Sequence, residues 1–185
     1  MSIVQIPWTS ADLELLPDSP NRYEIIDGEL YMTRAPHWQH QKTISKITIA
    51  LGVWSEQTQS GTVVINPGLV FRDTDNVIPD LVWISQEKLN NCMDEAGHLT
   101  DAPELVIEVL SNTPADVRRD RESKLKLYSN QGVREYWIVD WRLEKIEIYR
   151  RDRGKLQLIE TLMDDDEITS DILLGFSCRI NSFFI

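Results

Sequence analysis

A glutamate interrupts an apolar stretch near the middle of the chain. Glu108 lies within ELVIEVLS, residues 104–111, whose apolar residues predict a strand buried on both faces. A carboxylate removed from water is very unfavourable unless it is paired, protonated or bound to a metal ion. Because side chains alternate along a strand, Glu108 is expected to share a face with Val106 and Leu110. Its partners must therefore come from neighbouring elements.

Asp80 is the first candidate for a neighbour of Glu108. It follows Pro79 at the start of the apolar run PDLVWIS. Proline has no N–H to donate to a strand ladder, so it favours the first position of a strand and leaves Asp80 near that end. The competing interpretation is an aspartate that only closes a turn.

Lys124 is the second candidate, in the predicted helix PADVRRDRESKLKLYSNQG. On a helical wheel of roughly 100° per residue, Lys124 falls inside the apolar stripe that contains Val117 and Tyr128. A lysine on a buried face is unexpected unless an anion receives it. Its stem could also reach solvent, or its ammonium could pair with Asp120 four residues earlier. The same wheel places Arg121 beside Lys124 and turns Arg119 outward, which favours a solvated face for the other basic residues.

The patterns of apolar residues and turn signals predict the elements that position these side chains. Asp27–Gly28 in RYEIIDGELYM favours a tight hairpin turn, and apolar residues three or four apart predict a long amphipathic helix over 38–57. The chain begins with a predicted helix, capped by Thr9 or Ser10, and then the hairpin. From residue 38 onward the predicted order is helix, three strands, helix, strand. Further strands follow, and residues 86–103 are a predicted surface loop. The predicted strands after the hairpin cover residues 62–72, 79–85, 104–110, 134–141, 145–150, 155–160 and 176–184.

These elements predict the fold class. Alternating helices and strands indicate an α/β fold with a mixed central sheet flanked by helices. A chain of 185 residues is long enough to bury a continuous core, so we expect a single domain over residues 1–185.

Composition limits the possible functions. The formal net charge is −11, so phosphate backbones repel the chain unless a local patch reverses the field. The two cysteines, Cys92 and Cys178, form neither a disulfide framework nor a CxxC metal knuckle. No apolar stretch approaches the roughly 18 residues of a membrane span, and the first residues lack a signal-peptide pattern. We therefore expect a cytoplasmic protein without a membrane partner.

Several segments together resemble one family. YEIIDGELYM, PDLVWIS and VIEVLSNTPADVRRDRESKLKLYSNQGVREYWIVD, with the late GF, are similar to the Uma-type family of putative restriction endonucleases, a branch of the PD-(D/E)XK nuclease superfamily. The resemblance implies a restriction-endonuclease-like core in which Asp80 and Glu108 bind Mg²⁺ or Mn²⁺. The superfamily pattern expects a lysine two residues after Glu108, where this chain has Leu110. In this branch the lysine lies in the next helix, at the position of Lys124.

The resemblance also marks two supporting residues. His40 matches a histidine that recurs in the family, and Glu24 matches an acid in the hairpin pattern. For Glu24, an exposed position in a strand is an equally good interpretation. His37, three residues before His40, is more typical of a helix cap or a surface residue than of a metal pair.

The implied function is a Mg²⁺-dependent endonuclease that hydrolyses phosphodiester bonds in DNA. Lys124 would orient the attacking water or stabilise the anion. We expect weak, metal-assisted DNA binding with Arg121 as one phosphate contact, and a homodimer, because the sequence is rich in exposed strands and has six tryptophans. The alternatives are a catalytically inactive binding or assembly module and a buried ion pair of Glu108 with Lys124 that has only a structural role.

Overall fold

The computed structural model describes residues 6–17, 19 and 21–185. The helical segments are α1 (Ser10–Leu13), α2 (Trp38–Thr58), α3 (Gln86–Leu89), α4 (Pro114–Arg118), a π-helical turn (Arg119–Lys124), α5 (Leu125–Gln131) and a 3₁₀ turn (Ile180–Phe183). The strands are β1 (Arg22–Ile26), β2 (Glu29–Thr33), β3 (Gly61–Ile65), β4 (Leu69–Arg72), β5 (Asp75–Val77), β6 (Leu81–Ser85), β7 (Leu105–Val109), β8 (Glu135–Asp140), β9 (Lys145–Asp152), β10 (Lys155–Met163), β11 (Glu167–Thr169) and β12 (Ser177–Arg179). No helix in these ranges is long and apolar enough to cross a membrane.

The strands form a large central sheet and two smaller sheets. The central sheet has the order β10-β9-β8-β7-β6-β3, in which β7 and β8 are parallel and the other neighbours are antiparallel. A second, antiparallel sheet has the order β2-β1-β5-β4, and β11 pairs with β12. The predicted α/β class with a mixed central sheet is therefore confirmed.

The N-terminal hairpin forms as its turn residues predict. Asp27 and Gly28 have φ angles of 53° and 76°, the left-handed conformation that a two-residue hairpin turn requires. Gly28 is also needed for space, because a Cβ there would lie 2.5 Å from the Cβ of Pro7. Thr9 caps α1, as predicted, through a capping box with Asp12.

Apolar cores cover both faces of the central sheet. On one face, Leu105 and Ile107 of β7 pack with Ile44 and other residues of α2 and with the C-terminal segment. On the other face, Val106 and Leu110 pack with the second sheet and α5. The alternation predicted for β7 is confirmed. Glu108 therefore points toward the layer formed by the hairpin and α5.

One predicted strand is two strands in different sheets. The chain over 62–72 leaves the central sheet after β3 and enters the second sheet as β4. Asn66 between them has a φ of 51°, and Pro67 cannot donate to a ladder, so the strand cannot continue through this pair. With the short β5, which was not predicted, five strands rather than three separate α2 from α4.

The helix between β7 and β8 contains the main departure from the predicted geometry. It runs from Pro114 to Gln131, but a π-helical turn interrupts it between α4 and α5. In a π-turn each N–H bonds to the carbonyl five residues earlier, so residues five apart share a face. Arg119 and Lys124 are therefore both buried, at 7% and 2% exposure. The outward orientation predicted for Arg119 on a regular wheel is wrong.

Two other segments differ in detail. Residues 86–103 begin with α3 and bury Cys92 and Leu99, so this segment is more than a surface loop. At the C-terminus only β12 is a strand within the predicted 176–184, because Ile180 and Phe183 turn into the core in a 3₁₀ turn.

Candidate active site

Strand register brings Asp80 and Glu108 together. Leu81 of β6 pairs with Ile107 of β7, so the preceding Asp80 lies opposite Glu108 at the end of the β6–β7 ladder. The Val109 amide donates a 2.9 Å hydrogen bond to Asp80 Oδ2, and the Asp80 amide lies 3.4 Å from Glu108 Oε2. Both side chains are buried. The expected start of β6 after Pro79 thus holds Asp80 against the backbone of β7.

Lys124 reaches Glu108 from the helix that follows β7. Its Nζ lies 2.8 Å from Glu108 Oε1 and 2.9 Å from Glu24 Oε1. Tyr128, one turn later, also donates to Glu108 Oε1 at 2.8 Å. Glu24 comes from β1 and is 3% exposed, so the exposed-strand interpretation of Glu24 is wrong. Buried Glu108 therefore has a cation and a hydroxyl as partners.

His40 approaches the site from the first turn of α2. Its Nε2 lies 3.3 Å from Asp80 Oδ2, while its buried Nδ1 has no hydrogen-bond partner within the described ranges. His37, by contrast, is the N-cap of α2 and accepts a hydrogen bond from the Gln39 amide. The capping role favoured for His37 is thus confirmed.

The π-turn adds two charged residues that the sequence patterns did not assign to the site. Arg119 lies 3.3 Å from Asp116, 3.5 Å from Asp120 and 3.9 Å from Glu24. Asp120 Oδ1 also lies 3.9 Å from Lys124 Nζ, and no described residue donates a hydrogen bond to it. In the sequence, the signal for these two residues is the alternation of acidic and basic residues in this segment. On a regular wheel that alternation indicates a solvated face.

The pKa values of Asp80 and Glu108 are shifted in opposite directions. Burial alone would raise the pKa of Asp80, but His40 and the Val109 amide outweigh it and hold that pKa below its usual value. Burial raises the pKa of Glu108 to about 8, even though Lys124 opposes the shift. Asp80 is therefore the stronger acid of the two, and Glu108 exchanges its proton close to neutral pH. Environments that separate the pKa values of paired acids are typical of catalytic sites.

Lys124 and Asp120 show the same competition between burial and charge. Burial would lower the pKa of Lys124, but Glu108 and Glu24 outweigh it and raise that pKa above its ordinary value. Burial raises the pKa of Asp120 to about 6 against the effect of Lys124. Lys124 thus stays a cation throughout the physiological range and cannot act as a base there.

Except for Tyr128, the side chains that meet around Asp80 and Glu108 line one cavity of about 400 Å³ between the central sheet and the hairpin. Arg121 is not among its lining residues: it is bonded to Glu147 of β9, two strands away from Glu108 in the central sheet. The cavity walls come from the hairpin and the segment after it, the start of α2, the β6–β7 edge, and the loop and helix after β7. The charged residues that line it are Arg22, Glu24, Arg34, Asp80, Glu108, Asp116, Arg119, Asp120 and Lys124.

The donor set at Asp80 and Glu108 fits a hard divalent cation. No described residue donates to Asp80 Oδ1, and Glu108 Oε2 has only the long contact with the Asp80 amide. Within the described ranges there is no cluster of three or more His, Cys, Asp or Glu side chains arranged to hold a metal. Two carboxylates with the other positions left to water and substrate oxygens suit Mg²⁺ or Mn²⁺, which keep several waters.

Comparison with known proteins identifies the family. Residues 10–181 match Uma2, described as "Putative restriction endonuclease". A crystal structure of a putative nuclease belonging to DUF820, from Anabaena variabilis, has a TM-score of 0.76 and 18% identity over 96% of this chain and 98% of that one. The type IIG restriction endonuclease BpuSI has a TM-score of 0.43 and 16% identity over 78% of this chain and 15% of that one. No curated protein matches the sequence. The chain belongs to the Uma2 family of putative restriction endonucleases.

Proposed function

We propose that this protein is a metal-dependent endonuclease that hydrolyses phosphodiester bonds in DNA. The observation that carries the proposal is the opposition of Asp80 and Glu108 across β6 and β7, with the Lys124 ammonium 2.8 Å from Glu108 in the same cavity. Such a group of two acids and a permanent cation matches the needs of phosphoryl chemistry, in which negative charge must be neutralised and water activated.

Asp80 and Glu108 would hold the cation. Asp80 is ionised and offers a free Oδ1, while Glu108 must give up its proton to bind through the carboxylate. A bound Mg²⁺ or Mn²⁺ would lower the pKa of a water and neutralise charge on the scissile phosphate. His40 keeps Asp80 in place through Nε2, so it acts as a positioning residue.

Lys124 would stabilise negative charge at the scissile phosphate. Its pKa is raised by Glu108 and Glu24 against the opposing effect of burial, so it remains a donor and cation. Tyr128 and Glu24 fix Glu108 and Lys124 in their present rotamers through contacts of 2.8 and 2.9 Å. A preorganised cation of this kind needs no rearrangement when charge develops.

A homodimer would place two such cavities on one duplex and allow both strands to be cut. This stays a prediction, as does the cytoplasmic location.

The test of the proposed function is cleavage of supercoiled plasmid in Mg²⁺, in Mn²⁺ and in EDTA. We expect nicked and linear products with either metal and none in EDTA, and a loss of roughly 10²-fold or more in Asp80→Asn. Intact plasmid in both metals would favour the inactive binding or assembly module. Equal cutting by Asp80→Asn and wild type would remove Asp80 from the site.

A further inference from the structure

The cations that line the cavity fall into two groups. Lys124 and Arg119 are buried and surrounded by carboxylates, which offset the effect of their charge on the rest of the cavity. Arg22 and Arg34 line the same cavity, yet no carboxylate of the described residues lies within 4 Å of either guanidinium. In a chain of net charge −11, two such arginines at one cavity are unexpected for a surface that meets only solvent.

Arg22 is held in place relative to the catalytic carboxylates. Its guanidinium donates a 2.7 Å hydrogen bond to Asn66 Oδ1. The Asn66 amide in turn donates to the backbone carbonyl of Asp80 at 3.1 Å. Asn66 thus connects Arg22 to the residue that carries the metal-binding carboxylate. The remaining N–H groups of Arg22 have no described partner and can receive an anion.

Arg34 lies at the same end of the hairpin. Arg22 pairs across the hairpin with Thr33, and Arg34 is the next residue after Thr33. The two arginines are therefore neighbours at this end of the hairpin. Thr33 is fixed by Arg119, which donates to its hydroxyl at 3.1 Å. The Arg34 side chain is exposed and makes no hydrogen bond to a described residue. The open end of the hairpin therefore carries two adjacent cations over the cavity, which we call the arginine pair.

We propose that the arginine pair, Arg22 and Arg34, binds phosphates of the substrate strand next to the phosphate that is hydrolysed. The inference rests on the proposed function and adds its phosphate-binding residues. Arginine suits this role, because its planar fork binds phosphate oxygens in pairs and stays charged at every relevant pH. Since carboxylates offset the charge of the deeper cations, the arginine pair supplies most of the attraction for the substrate backbone at this cavity.

The expected effect is a change in salt dependence. Each neutralised phosphate contributes a slope of about −0.9 in a plot of log K against log salt for duplex DNA. We expect about 2 to 4 contacts in the wild type, and Arg22→Gln and Arg34→Gln should each reduce the slope by about 0.9. Arg22→Lys keeps the charge and should restore the slope, while its affinity stays lower because the fork is lost.

Fluorescence anisotropy with duplex DNA across a KCl series, at fixed Ca²⁺ to support binding without cleavage, measures these slopes. The matched control is Lys155→Gln, which removes one exposed charge at the start of β10 and away from the cavity lining. It should leave the slope unchanged. Arg34→Gln has no described contacts to lose, so it stays informative even if Arg22→Gln disturbs Asn66.

The outcomes separate this inference from the function on which it rests. Wild-type binding with unchanged slopes in Arg22→Gln and Arg34→Gln would overturn the arginine pair and leave the nuclease assignment standing. An equal loss in Lys155→Gln would also overturn it, because the effect would then be one of total charge. No binding and no cleavage by the wild type would remove both.

Discussion

Replacing Lys124 by methionine deletes a buried charge while keeping most of the apolar stem. In the wild type the Nζ lies 2.8 Å from Glu108 Oε1 and 2.9 Å from Glu24 Oε1, and the residue is 2% exposed. After the substitution, two buried carboxylates lose their shared cation. Removing one partner of a buried ion pair costs roughly 3–5 kcal/mol.

That cost predicts a measurable loss of thermal stability. In a chain of this size, about 1 kcal/mol lowers Tm by roughly 2–4 °C, so the expected drop is about 6–20 °C. Cleavage should fall by roughly 10²-fold or more, measured at a temperature where the variant remains folded. Calorimetric melting gives the first quantity and plasmid cleavage gives the second.

A second substitution tests the physical cause. Gln at position 108 resembles the protonated acid and needs no cation, so Lys124→Met should cost less in a Glu108→Gln background. We expect the difference to be about 1–3 kcal/mol in a double-mutant cycle. If Lys124→Met melts and cuts like the wild type, the lysine neither neutralises the cluster nor assists the reaction.

The remaining predictions concern metal, pH and Arg121. Calorimetry should detect Mn²⁺ binding by the wild type and a much smaller heat for Asp80→Asn, and equal heats would remove the metal site. Because the pKa of Glu108 is raised to about 8, Mn²⁺ must displace a proton, so its affinity should rise by up to about tenfold per pH unit toward pH 8; a constant Kd from pH 6 to 8 would contradict this. In metal-free protein the same raised pKa means that the folded state holds this proton more tightly than the unfolded state. Stability should therefore fall as pH rises from about 4.5 to about 8, and Glu108→Gln should remove this part of the pH dependence. Arg121→Ala should leave the salt slope of DNA binding unchanged, because Arg121 is bonded to Glu147; a loss of about one unit would restore its role as a phosphate contact.

Asp80, Glu108 and Lys124 could be predicted because each has a local signal in the sequence. Glu108 interrupts an apolar strand, Lys124 interrupts an apolar helix face, and Asp80 follows a proline that marks a strand start. Alternation along β7 and the register with β6 then bring them together. Family resemblance and residue pattern agree on these three positions.

What the sequence could not predict depends on backbone irregularities. A π-turn has no clear sequence signal, so a regular wheel misplaced Arg119 and left Asp120 outside the candidate site. The left-handed Asn66 moves the chain between sheets and also orients Arg22. The partner of Glu24 depends on how the hairpin packs against the helix, a contact between residues 100 positions apart in the chain.

Anomalous scattering from a crystal soaked in Mn²⁺ would locate the metal ion itself. We expect a manganese peak within coordination distance of the Asp80 and Glu108 carboxylates, with Lys124 still beside Glu108. A soaked crystal with manganese bound elsewhere and no peak at Asp80 would contradict this expectation.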